Sequence, residues 1–163
     1  MSLVGDPSDT FDDAIEEAFK QGILTVVASG NDNKDCSNLS PARAAIRYNR
    51  DRWYWGTSSN STIGSNYGAP VDIHASGAEI VSTFIGDPDA AETFDGTSGA
   101  APLVSGLALY LMVLENITTP AAVTNRIKDL GTKNVVNESP AGTVNLLAFN
   151  GIDSATKPKP YSH

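Results

Sequence analysis

Apolar residues recur at helical spacing at Phe11, Ile15, Ala18 and Phe19, with Asp12, Asp13, Glu16 and Glu17 on the other face. This predicts an amphipathic helix entered at Pro7-Ser8, with Ser8 as N-cap, Lys20 near its end and Gly22 as C-cap. The pattern then changes. Ile23 to Ser29 is an unbroken β-branched and apolar run, the signature of a strand covered on both faces of a parallel sheet. It ends in the polar loop Gly30-Asn31-Asp32-Asn33, which has strong turn character. The short run Ser2-Leu3-Val4 reads as the tail of an earlier strand. Strand, helix and strand at this spacing form a βαβ unit, and sites gather at the carboxyl ends of such strands.

Further along, residues 37–68 are rich in loop signals, with a short strand predicted around Arg50-Asp51-Arg52-Trp53-Tyr54-Trp55. Two tryptophans beside two arginines read first as partly buried packing with stacked guanidiniums, and second as a carbohydrate or peptide platform. Val71-Asp72-Ile73 and Ile80 to Ile85 are predicted strands on either side of a turn at Gly77. The longest apolar run, Leu103 to Leu114, lies in a helix predicted from Ser98 to Glu115, with Pro102 tolerated in its first turn. It is apolar on every side, so it is expected to be buried. Thr119-Pro120 opens a last helix, Ala121–Leu130, stopped by Gly131, and Gly142–Phe149 holds a final strand. The alternation of the two periods assigns the chain to the α/β class.

Composition narrows the partners. The 163 residues carry 11 basic and 19 acidic side chains, a formal charge of −8, with no basic stripe, which argues against nucleic acid. No apolar stretch is long enough to predict a membrane span. The first residues lack the basic start and apolar core of a signal peptide. Cys36 is the one cysteine, so no internal disulfide forms.

The candidate chemistry lies in Gly96-Thr97-Ser98-Gly99-Ala100-Ala101-Pro102, which puts a serine at the N-terminus of the long helix. Free N–H groups and the positive end of the helix dipole gather there, an environment suited to an oxyanion. A helix-capping serine is the plain alternative. The Gly-x-Ser-x-Gly elbow of another hydrolase class is a further one, but it needs a strand directly before it and a histidine after it. Ala91 to Asp95 does not read as a strand, and the only later histidine is His163, in the polar tail. His74 reads as a structural or surface histidine.

Taken together, the pieces resemble the subtilisin-like serine endopeptidases, in particular the proteinase K-like branch. The resemblance rests on Ser2-Leu3-Val4-Gly5, Val27-Ala28-Ser29-Gly30-Asn31-Asp32-Asn33, Ser40-Pro41-Ala42-Arg43-Ala44, Ser65-Asn66-Tyr67-Gly68, Val71-Asp72-Ile73 and the serine motif, in that order. It implies the C-terminal portion of a subtilisin-like parallel-sheet fold over residues 1–152, with 153–163 a flexible tail. It further implies Ser98 as nucleophile and Asn31 as oxyanion donor. Ser2, Leu3, Val4 and Gly5, with Ala28, Ser29 and Gly30, would line a groove for an extended peptide or protein substrate. The family's triad runs Asp, His, Ser, and neither Asp72 nor Asp95 matches its aspartate. The aspartate and histidine are therefore expected upstream of Met1. On this reading the isolated chain is an inactive endopeptidase portion that needs an upstream half or partner chain. Without that half, an edge strand and part of the central helix are expected to face water. The alternative is a non-catalytic peptide-binding or interaction module on the same scaffold. Extracellular location follows from the family. No cofactor is assigned: the branch has a calcium site near the loop Thr57–Gly64, but the sequence offers no identifiable ligand set for it. Three residues depart from the family pattern: Gly99 stands for its usual methionine, Leu103 for its histidine, and Asp95 brings a negative charge close to the serine.

Overall fold

The computed structural model describes residues 1–44, 47–51 (as backbone), 64–137 and 139–152. The tryptophan cluster at 53–55, the loop 57–63 and the tail 153–163 lie outside the described residues. The first helix, α1 (Asp9–Lys20), starts on Ser8, whose hydroxyl accepts from the Phe11 N–H. It ends in a Schellman motif: Ile23 N–H bonds to Ala18 O and Gly22 N–H to Phe19 O. Ile15 is buried as the periodicity requires. Asp12 is buried too, which corrects its placement on the solvent face. The reason is a polar partner set: its Oδ2 accepts from Ser40 Oγ at 2.9 Å and from Arg43 Nε. Arg43 also reaches Asp9, so α1 is braced against the turn at 40–43.

The strands that follow are shorter than their apolar runs. They are β1 (Val27–Ala28), β2 (Arg47–Asp51), β3 (Ile73–Ser76), β4 (Ile80–Thr83), β5 (Ala91–Phe94), β6 (Thr132–Lys133) and β7 (Leu146–Leu147). Five form one sheet in the order β1-β2-β3-β7-β6, parallel except for the β6–β7 pair. A strand at Ala91–Phe94 is a correction: it pairs antiparallel with β4 in a separate hairpin, where Phe84 and Phe94 stack at a centroid distance of 6.1 Å. Polar residues at exposed positions hid it from the pattern.

Two helices cover the sheet. The central one, α2 (Thr97–Leu114), packs on β1, β2 and β3. Val104, Ala108 and Leu111 sit in the main core with Val26, Ile73, Val123 and Ile127. The last, α3 (Pro120–Leu130), is capped by Thr119, whose hydroxyl accepts from Ala122 N–H, and packs on α2. The expectation that α2 is buried all round holds for one face only. Leu109 is 65% and Val113 84% exposed, with Leu103, Tyr110 and Leu114 also open to solvent. By length and composition α2 is the one helix among the described residues that could cross a membrane, and it is spent here on the sheet. Among the described residues β1 is an outer strand of the sheet, flanked by the first residues, where the Met1 ammonium donates to Val26 O and Ala28 N–H to Met1 O.

Two measurements follow. Leu111→Ala, at a fully buried position, is expected to cost about 2–5 kcal/mol by the loss of transferred surface and the cavity left behind, whereas Val113→Ala costs under about 0.5 kcal/mol. Urea titration of both variants compares them directly. The second concerns pH. Glu115 receives Arg126 Nε at 2.7 Å and Nη2 at 2.8 Å, and this hydrogen bonding holds its carboxyl below the ordinary glutamate range. A depressed carboxyl adds stability that is present above its unfolded pKa and disappears as pH falls through the lower folded value. Stability should therefore decline on acidification below about pH 4, and Arg126→Gln should flatten that limb in denaturant titrations from pH 6 to 3.

Candidate active site

Three segments meet at the N-terminus of α2, namely the first residues, the loop after β1 and the β5–α2 turn, and the segment 64–68 bonds to that loop. The start of α2 has no side-chain cap, because Gly96 precedes it. The first helical N–H groups therefore need partners from elsewhere. One comes from Asn31, whose Oδ1 accepts from Thr97 N at 2.9 Å and from Thr97 Oγ1 at 3.0 Å. The same threonine hydroxyl accepts from Gly30 N–H at 3.1 Å, so one fully buried oxygen ties the loop to the helix. With its carbonyl spoken for, Asn31 presents its amide nitrogen toward the serine turn. A side chain on Gly96 (φ 148°) would put its Cβ 3.2 Å from Asn31 Nδ2. Gly96 thus keeps that donor clear.

Ser98 is the second residue of α2 and is exposed. Its hydroxyl donates to Ser2 O at 3.3 Å, and the Ser2 hydroxyl returns a bond to Ser98 O at 2.8 Å. The nucleophile candidate is thereby held against the first segment, 96 positions away in the chain. That segment is fixed further along, where Gly5 and Ser40 exchange two backbone bonds, Gly5 N to Ser40 O at 2.8 Å and Ser40 N to Gly5 O at 3.1 Å.

The structure brings Ser2 and Asn31 to the start of α2 beside Ser98, and the residues singled out from the sequence differ in exposure. Ser2, Leu3 and Gly5 are exposed and Val4 is half-buried. Ala28, Ser29 and Gly30 are buried, and several of their backbone groups are already paired: Ala28 N–H with Met1 O, Ser29 O with Asn66 Nδ2, and Gly30 O with Asn66 N–H. Asp95, close to Ser98 in sequence, accepts from Glu79 N–H at 2.7 Å and so braces the turn before β4. Gly99 leaves room for Ile80, whose Cγ1 would lie 3.2 Å from an added Cβ. His74 is buried on β3, with Nε2 2.7 Å from Val144 O. Among the described residues no group of three or more His, Cys, Asp or Glu side chains is arranged to hold a metal, and Asp72 is taken by Lys128 Nζ.

Sequence reasoning passed over Thr97 and Asn66. Thr97 stood beside the candidate serine, and its hydroxyl is the natural bridge from a helix start to a neighbouring loop. Asn66 lay in a segment noted only for its likeness to a family.

The model of the subtilase family (peptidase S8) matches residues 1–146. Alkaline protease 1 of Aspergillus flavus is 49% identical over 153 residues, covering 93% of this chain and 37% of that protein. Subtilisin-like protease 2 of Arthroderma benhamiae is 44% identical over 165 residues, covering 99% of this chain and 38% of that protein. A solved cold-adapted subtilisin-like serine proteinase superposes with a TM-score of 0.79 at 35% identity, over 94% of this chain and 54% of its own. The chain thus spans well under half the length of the curated relatives it matches.

The threonine bridge makes a direct prediction. Thr97→Val keeps the shape but leaves the buried Gly30 N–H without its acceptor, and should cost about 1–3 kcal/mol in urea unfolding. An unchanged midpoint would show that the bridge carries no stability.

Proposed function

Because this chain belongs to the subtilase family, we propose that residues 1–152 carry the nucleophile and oxyanion portion of a serine endopeptidase site. The observation that supports this reading best is the convergence of an exposed serine hydroxyl and an oriented asparagine amide on one helix N-terminus. In peptide-bond hydrolysis Ser98 Oγ attacks the scissile carbonyl, and the carbonyl oxygen becomes an oxyanion. On this reading Ser98 N–H and Asn31 Nδ2 receive that charge, and the Thr97 hydroxyl on Asn31 Oδ1 supports the assignment by fixing which way the amide faces. An extended peptide or protein chain is the substrate, lying along Ser2 to Gly5 and the loop at Ala28 to Gly30.

The attack requires a base, and the chain holds two histidines. His74 is committed to the sheet and His163 ends a segment outside the described residues. Ser98 instead donates its hydroxyl proton to a backbone carbonyl, which cannot accept it fully. In our reading this chain alone does not turn over peptides, and endopeptidase activity requires an aspartate and a histidine from polypeptide beyond these residues. The exposed face of α2 and the outer strand β1 are where such a segment would pack. The branch's extracellular location is proposed with the activity. The non-catalytic alternative, a peptide-binding module, is favoured by the same Ser98–Ser2 contact, which occupies the hydroxyl.

A fluorophosphonate probe decides between them, since it labels a serine efficiently only when a base activates it. This chain alone should label no faster than its Ser98→Ala variant. Adding the portion of the Aspergillus flavus relative that this chain does not cover should raise labelling of Ser98. Rapid labelling of the chain alone would contradict the inactivity. Peptide binding without labelling in the mixture would favour the binding module.

A further inference from the structure

We propose that Asn66 is a positioning residue for the oxyanion loop, setting the backbone from which Asn31 projects. The proposal rests on reading Asn31 as the oxyanion donor, and it assigns the loop's geometry to a side chain outside the serine motif. Asn31 is exposed, so packing does not fix its place. Its side-chain Oδ1 is held by Thr97, which leaves the backbone of the loop to be fixed from elsewhere.

Gly64 holds one side of that backbone, donating to Asn31 O at 3.3 Å and accepting from Asn33 N–H at 2.8 Å, and Asn66 supplies the hold that spans the loop. It is fully buried, and its amide uses both ends. Nδ2 donates to Ser29 O at 2.9 Å; Oδ1 accepts from Asp32 N–H at 3.0 Å and Lys34 N–H at 3.1 Å. Its own backbone N–H bonds to Gly30 O at 2.9 Å. The four contacts fall on both sides of Asn31, at 29 and 30 before it and at 32 and 34 after it. Only a primary amide of this length provides a donor on one end and a twofold acceptor on the other. Gly30 completes the arrangement. Its φ is +101°, and a Cβ there would lie 2.3 Å from Asn66 Nδ2. The loop passes so close to the clamp that no side chain fits between them.

Amide hydrogen exchange on the full chain tests the idea. In Asn66→Ala the Asp32 and Lys34 amides should exchange about tenfold faster each, the worth of one lost hydrogen bond. The Thr97 amide, which reports whether Asn31 Oδ1 is still seated, should speed up with them, while Val104 to Leu111 in α2 keep their protection. Asn66→Asp retains the acceptor and should restore protection at Asp32 and Lys34. Unchanged Thr97 exchange in Asn66→Ala would overturn the proposal. Loss of protection throughout α2 in both variants would also overturn it, by making Asn66 a general core residue. A second readout uses the chain complemented with the uncovered portion of the Aspergillus flavus relative. There Asn66→Ala should lower kcat with KM within about twofold, and add no further loss in the Asn31→Ala background. If Asn31→Ala itself leaves kcat unchanged, the oxyanion reading fails, and the exchange result still decides whether Asn66 sets the loop.

Discussion

One buried hydroxyl joins the two halves of the candidate site. Thr97 Oγ1 accepts from the Gly30 backbone and donates to the Asn31 side chain, so the loop after β1 and the start of α2 cannot shift independently. The helix needs this bond as much as the loop does. Gly96 offers no capping side chain, and Asn31 fills the gap by accepting from the first helical N–H. Capping and orientation of a potential oxyanion donor are here one interaction. A helix start that must be satisfied from outside is satisfied here by the side chain that the proposed chemistry would need beside it.

Around this bond the molecule is layered in the order in which rigidity is needed. The main core of Val104, Leu111, Ile73 and Val123 fixes α2 on the sheet. A second, smaller cluster of Cys36, Leu39, Ala42 and Val71, with Val4 packed on it, lies under the first segment. Asp12, Ser40 and Arg43 link α1 to that same turn, and Ser40 in turn holds Gly5. The exposed residues that face a substrate in the proposed function thus stand on buried polar pairs rather than on their own packing.

Much of this was legible in the chain. The limits of α1 and α3 follow from Ser8 and Thr119 as caps and from the glycines after each helix, because capping is a local matter of spare N–H and C=O groups. The helix at 97–114 was legible as well. Its burial was legible only in part: apolarity alone suggested cover on every side, while the family likeness, which leaves an upstream half outside these residues, led to the expectation of a face open to water, where Val113 and Leu109 lie. β5 escaped because Ala91, Glu92 and Thr93 pair on a solvent-facing hairpin with no alternation to read. Asp12 escaped because a carboxylate at a helical surface position is buried by partners 28 and 31 residues away. Ser98 and Asn31 were accessible through a family likeness. Thr97 and Asn66 act through hydrogen bonds across 66 and 37 residues, and no local pattern encodes those.

The uncovered face of α2 has a colloidal consequence. It gives each molecule an apolar stripe that attracts its copies, while a formal charge of −8 repels them at longer range. The repulsion reaches about 10 Å at 0.1 M salt and about 3 Å at 1 M, whereas contact between apolar surfaces does not weaken with salt. Ionic strength therefore acts as the dispersant or precipitant of this protein: dilute buffer keeps the stripes apart, and concentrated salt lets them meet.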